Sequence, residues 1–134
     1  MDNSNKSKRL FKWIKVKDRM HIIGRKPRIS TGEIWWCGFG ENVGVEINGK
    51  HDLYSRPVLI FRKLSNLGFM GIPLSSQQKT GSWYVSIDFK KRHNVAVLSQ
   101  ARTMSVSRLY ERIGKLDEAD FAKVREGFQK LYLP

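Results

Sequence analysis

Residues 49–63 read GKHDLYSRPVLIFRK, a polar loop that runs into Arg56, Pro57 and then four apolar residues in succession. Proline fixes its own φ and pushes the residue before it toward extended backbone, so Arg56 and Pro57 mark the start of a strand. The unbroken Val58-Leu59-Ile60-Phe61 run is what a strand buried on both faces looks like. Outward from it, runs of Trp, Ile, Val, Phe and Tyr are separated by Gly, Asn and Ser, which places further strands at about 32–38, 68–74, 82–89 and 94–100 beside the one at 56–63. Short strands at this spacing predict a small barrel.

The two ends differ from this middle. Leu10, Trp13, Ile14 and Lys17 recur at helical spacing, which predicts a short amphipathic helix to about residue 20 after a polar, frayed start over 1–8. GRKPRISTG, residues 24–32, then breaks the helix with Pro27 and two glycines. At the other end LDEADFAKVREGFQKLYLP, residues 116–134, offers Asp117 as an N-cap, Glu118 and Asp120 in the first turn, and Phe121, Val124, Phe128 and Leu131 along one face. The fold class expected is α+β, mainly β, with residues 1–30 a basic arm and 31–134 the barrel domain.

The composition narrows the function. No stretch approaches the roughly 18 apolar residues of a membrane span, and the N-terminus carries charges every few residues where a signal peptide needs an apolar core. A cytoplasmic protein is expected. The single cysteine, Cys37, sits in the apolar run IWWCGF and reads as a buried small hydrophobe. Twenty-five Lys and Arg against 12 Asp and Glu leave a formal charge of +13, which attracts phosphates. Ten of those cations (Lys6, Lys8, Arg9, Lys12, Lys15, Lys17, Arg19, Arg25, Lys26 and Arg28) lie in the first 30 residues, against Asp2 and Asp18.

Several motifs fail on context. GFGENVG, residues 38–44, opens like a dinucleotide fingerprint, but Val43 takes the third glycine position and no helix follows to hold a pyrophosphate. The Lys-Thr pair in QQKTG lacks the upstream glycine of a phosphate-binding loop. His21, His51 and His93 lie in separate polar segments without metal spacing, so neither a metal nor a cofactor is expected.

Three features remain: the Gly-rich loop with Glu46 in ENVGVEINGK, the Arg56-Pro57 strand start, and the hydroxyl- and amide-rich strand end GIPLSSQQKTGS. Cleavage of RNA through its own 2′-hydroxyl needs a base, charge stabilisation on the phosphorane oxygens, and a proton for the leaving 5′-oxygen. A rigidly mounted guanidinium meets the second need, because it is always charged and forks onto two phosphate oxygens. Spacing alone leaves Arg56 open to two plainer readings, a salt bridge to Glu46 and a solvated strand end.

From residue 32 onward the chain resembles the MazF/PemK family of toxin ribonucleases. The resemblance is carried by GEIWWCGFGENVGVE, RPVLIF, IPLSSQ, VAVLSQARTMSVSRLYERIG and a closing helix, in that order. It implies an SH3-like barrel with C-terminal helices, here with an extra N-terminal helix, forming a homodimer that cuts single-stranded mRNA at a short motif without a metal and is neutralised by a cognate antitoxin. Carried over by position, the family's catalytic arginine is Arg56, its hydroxyl residue is Ser75, where threonine is common, and its loop glutamate is Glu46. Ser76 follows immediately, and strand alternation lets only one of the two hydroxyls face the site. Ile47 stands where a glutamine often follows the glutamate, and HDLYS lengthens the loop, so base preference is expected to depart from that of relatives.

Gln77, Gln78, Lys79 and Thr80 are expected at the RNA groove, joined by Asn48 and Lys50 of the Gly-rich loop, since amides read base edges and lysines meet phosphates. Trp35 and Trp36, adjacent on a strand, must face opposite ways, so one is core and the other is free for an interface; Trp83 is a third aromatic that could stack on a base. Two competing readings share the fold: a poison of DNA gyrase that needs no Arg and hydroxyl pair, and an RNA-binding module without cleavage.

Overall fold

The computed structural model describes residues 3–133. Helix α1 (Asn3–Ile23) leads into seven strands, β1 (Glu33–Gly38), β2 (Ser55–Lys63), β3 (Gly68–Ser75), β4 (Tyr84–Phe89), β5 (Arg92–Val97), β6 (Arg102–Ser105) and β7 (Leu109–Lys115), and helix α2 (Glu118–Tyr132) closes the chain. The strands form an antiparallel sheet in the order β4-β5-β3-β2-β1-β7, with β6 added beside β3. No helix among the described residues is long and apolar enough to cross a membrane.

The expected small barrel is corrected to an open, curled sheet, since β4 and β7 end the path without pairing among the described residues. The ends nonetheless approach, because a Cβ added to Gly114 of β7 would lie 2.7 Å from the Phe89 ring of β4. Curvature comes from β-bulges in β7 where it meets β1, at Tyr110 and Ile113, and in β2 where it meets β3, at Phe61. It also comes from the division of β3, whose first half (Gly68–Gly71) pairs β6 and whose last residues (Leu74, Ser75) pair β5.

The five expected strands are present within a few residues, although 98–100 is a 3-10 turn rather than the end of β5. Strands β6 and β7 were not expected. Their sequence, RTMSVSRLYERIGK, alternates single apolar residues with hydroxyls and charges; Met104, Val106 and Leu109 are buried in the core and Ile113 is partly buried against it. One C-terminal helix is present where the resemblance implied more than one.

Two apolar clusters lie on opposite faces of the sheet. One joins Trp35, Cys37, Val58, Ile60, Phe69 and Met104. The other joins Ile34, Leu59, Ile72, Leu98 and Val124 under α2. Because Leu59 faces one cluster and Val58 and Ile60 the other, the apolar run in β2 is buried on both faces. The Asp117 side chain accepts the Asp120 N–H at 2.8 Å and starts α2 as anticipated. Phe121 and Phe128 then pack on Phe61, with ring centres 5.7 and 4.8 Å away.

Helix α1 is longer than expected, beginning at Asn3, and its packed face differs from the predicted one. Leu10 and Ile14 are exposed, and the inward stripe is Arg9, Trp13, Val16 and Met20. The reason is local. Gly40 adopts φ +83° and its missing side chain makes room for the Trp13 indole, which a Cβ would overlap. Arg9 adds an ion pair to Glu41 at 2.6 Å and sits 4.5 Å over the Tyr54 ring.

Candidate functional site

The site begins with the β2–β3 register. Val58 pairs with Pro73 and Leu59 with Ile72, and Arg56 and Ser75 each lie two residues beyond the last of these pairs. Cross-strand partners share a face, and both residues line one cleft of about 460 Å³ together with Ile47, Gln77, Lys79 and Gln100. Ser76, one residue on, faces the opposite concavity. Arg56 lines both concavities, and of the two hydroxyls Ser75 is the buried one, in the cleft with Gln77, Lys79 and Gln100.

Ser75 is buried, and its Oγ accepts the Gln77 N–H at 3.2 Å, which leaves the hydroxyl proton free of partners among the described residues. Arg56 is half-buried. Its Nε donates to the Asn48 carbonyl, and its Nη groups make no hydrogen bond or ion pair among the described residues. Burial lowers its pKa from the ordinary guanidinium range, yet a guanidinium stays charged at neutral pH. The result is a cation anchored at one nitrogen and open at the others, next to a hydroxyl with a proton to donate. That arrangement grips a tetrahedral anion.

The salt bridge to Glu46 does not form. The Glu46 carboxylate accepts the Val43 N–H at 3.0 Å within its own exposed turn, and it lines an adjoining concavity with Asn42 and Arg102. The two concavities share Ile47, Ser99 and Gln100 as a common wall. Of the remaining expected residues, Gln77 and Lys79 line the Arg56 cleft, while Gln78 and Thr80 are exposed and line none of the concavities described here. Asn48 serves the site through its backbone, and its side chain accepts the Asn42 N–H at 2.6 Å to fold the loop. Lys50 lines the concavity on the Ser76 side.

Trp35 is core and Trp36 is exposed, while Trp83 stands at the edge of the Arg56 cleft. Gln100 was not anticipated. Its Oε1 accepts the Ile47 N–H at 2.9 Å and its Nε2 donates to the Val45 carbonyl at 3.0 Å, so one amide clamps two backbone groups of the Gly-rich loop. A glutamine between an apolar strand and ARTMS carried only a weak signal, since its partners lie more than 50 residues away. The loop stem is closed by the Tyr54 carbonyl, which accepts the Phe39 and Gly40 N–H groups at 2.8 and 3.1 Å. Among the described residues no group of three or more His, Cys, Asp or Glu could hold a metal ion.

Comparison with known proteins bears on the fold and the family. No curated protein matches the chain. Among solved structures, MazF from Deinococcus radiodurans superposes with a TM-score of 0.64 at 21% identity, covering 80% of this chain and 96% of that one. An endoribonuclease from a Mycobacterial species, solved in complex with its cognate antitoxin, gives 0.61 at 16% identity over 81% and 97% of the two chains. The Mycobacterium tuberculosis toxin MazF-mt6 gives 0.53 at 18% identity over 63% and 92%. At these identities the likeness is one of fold. The family model for the PemK-like, MazF-like toxin of type II toxin-antitoxin systems matches residues 30–132, and the chain belongs to that family.

Proposed function

We propose that this toxin is an endoribonuclease that cuts single-stranded mRNA at a short motif without a metal ion, in the cytoplasm, until a cognate antitoxin neutralises it. The observation that carries the reading is the pairing of an anchored, otherwise unpartnered Arg56 with the free hydroxyl of Ser75 in one cleft. In the reaction the 2′-hydroxyl gives its proton to the base and its oxygen attacks phosphorus, the bond to the 5′-oxygen breaks, and that oxygen takes a proton from water, leaving a cyclic phosphate and a 5′-hydroxyl end. Arg56 stabilises the charge that builds on the phosphorane oxygens, and the Ser75 hydroxyl donates to one of them. No carboxylate or imidazole lines this cleft. We assign the proton acceptor to Glu46 of the adjoining concavity, whose carboxylate accepts only the Val43 N–H among the described residues.

Gln77 and Lys79 contact the strand from the cleft wall, with Gln78, Thr80, Asn48 and Lys50 around it. An acidic, partly disordered antitoxin segment competes for the same cations. Two copies of the chain form the working homodimer, and the basic α1 widens its positive surface. The gyrase reading has no use for the Arg56 and Ser75 pair.

The test is incubation of purified protein with a long RNA in EDTA, with 5′-hydroxyl ends mapped for wild type, Arg56→Ala and Ser75→Ala. Cutting at one short motif that falls on the order of a hundredfold or more in Arg56→Ala, with folding intact, is the expected result. Undiminished cutting by Arg56→Ala overturns the assignment, and gyrase inhibition without RNA cleavage replaces the function.

A further inference from the structure

We propose that the concavity on the Ser76 side of Arg56 is a second nucleotide subsite for the same RNA strand, with a base stacked on Trp36 and its phosphate held by Lys50, Lys90 and Arg92. This inference rests on the ribonuclease reading above.

The cavity measures about 570 Å³, within the range of small-ligand sites. Its lining divides by chemistry. Pro57, Leu74, Phe89 and Ile113 supply apolar surface, and Trp36 stands in the wall 41% exposed. Lys50, Lys90 and Arg92 supply charge, and no Asp or Glu lines the cavity. None of those three cations is paired with a carboxylate among the described residues, although Lys90 lies 5.9 Å from the centre of the Phe89 ring.

His93 adds an independent sign of a ligand. Its Nε2 is buried without a hydrogen-bond partner among the described residues, while Nδ1 faces the exposed Asp88 at 3.8 Å. A ring nitrogen without a partner at the wall of a polar-rimmed cavity is a place for a ligand's hydrogen bond.

The shared residue decides which ligand. Arg56 lines both concavities, so a strand with one phosphate on its guanidinium continues into this cavity. A planar indole with converging cations is the recognition chemistry of single-stranded nucleic acid, because every base has a face to stack and every nucleotide a charge to neutralise. An acidic peptide meets the same charges but has no general need of the indole. The turn at Lys90 and Lys91 is held with both residues at positive φ, 50° and 60°, so Lys90 and Arg92 flank a tight corner rather than a flexible loop.

The experiment uses the full chain and a fluorescent RNA made uncleavable by a 2′-deoxy substitution at the cut position, so that binding is read apart from cleavage. Trp36→Ala is expected to weaken affinity about tenfold, with Trp36→Phe recovering most of it. Lys90→Ala with Arg92→Ala is expected to lower the slope of log affinity against log salt by about 0.7, the loss of one neutralised single-strand phosphate. On cleavable RNA the Trp36→Ala defect appears in KM rather than kcat. Unchanged affinity and salt slope in folded variants overturn the subsite even if cleavage proceeds. Loss of the dimer with RNA affinity intact, or binding of an acidic peptide but not RNA, overturns it as well. Normal subsite behaviour without any cleavage would instead sink the ribonuclease reading alone.

Discussion

The contact between Trp13 and Gly40 allows a prediction with both partners and a sign. Trp13 is 4% exposed and fills the space left by the missing side chain of Gly40, whose φ of +83° is a conformation L side chains rarely adopt. Trp13→Ala removes a buried indole and leaves a cavity, at a cost of about 3 kcal/mol. For a chain of this size that lowers Tm by about 10 °C. Gly40→Ala alone pushes a methyl into the indole and adds backbone strain, about 2 kcal/mol together.

The two costs do not add. Once the indole is gone the methyl has room, so in the Trp13→Ala background Gly40→Ala costs only the strain of the left-handed backbone, about 1 kcal/mol. The double-mutant cycle should therefore show a favourable coupling of about 1 kcal/mol. Urea unfolding of the four proteins, followed by circular dichroism with m-values compared, measures it. Additive costs, or a Trp13→Ala loss under 1 kcal/mol, would refute the claim that α1 is seated through this contact.

Other outcomes follow from single contacts. Burial would by itself raise the Glu33 pKa, but hydrogen bonds from the Arg112 guanidinium, the Ser30 N–H and the Trp35 indole outweigh it and hold Glu33 below the ordinary 4.5. A lowered folded pKa means this stability is complete above about pH 4.5 and is lost as pH falls through the folded value; acid unfolding of Glu33→Gln, set against wild type, should lack that loss. Burial pushes the Cys37 thiol up to about 12, so native protein at pH 8 should resist iodoacetamide and react only after unfolding, as read by mass spectrometry. Asp117→Ala deletes the cap that accepts the Asp120 N–H and should cost about 1 kcal/mol in urea titrations, with Asp117→Asn recovering most of it. Gln100→Ala frees the Val45 and Ile47 backbone; hydrogen exchange at the Ile47 amide should quicken at least tenfold while β2 amides stay protected.

The sequence by itself was enough for what depends on near neighbours along the chain. Apolar runs and their punctuation located five strands, Asp117 and the apolar face behind it located α2, and Pro57 announced an extended Arg56, because each signal acts within one or two turns of backbone. The ordered motifs also carried the family. Tertiary structure decided the rest, because the decisive partners are distant in sequence. Strands β6 and β7 exist only as additions to an existing sheet, where four to seven residues with few apolar side chains borrow their hydrogen bonds from β3 and β1. Gly40 selected the buried face of α1, and no periodicity within the helix could name it. Ser75 and Ser76 fall in separate concavities, each also lined by Arg56, because side chains alternate along the end of β3, and Glu46 sits in the adjoining concavity because the loop folds on itself and on Gln100. His51 and His93, far apart in the sequence, line one cavity because the fold sets the loop before β2 and the start of β5 around it.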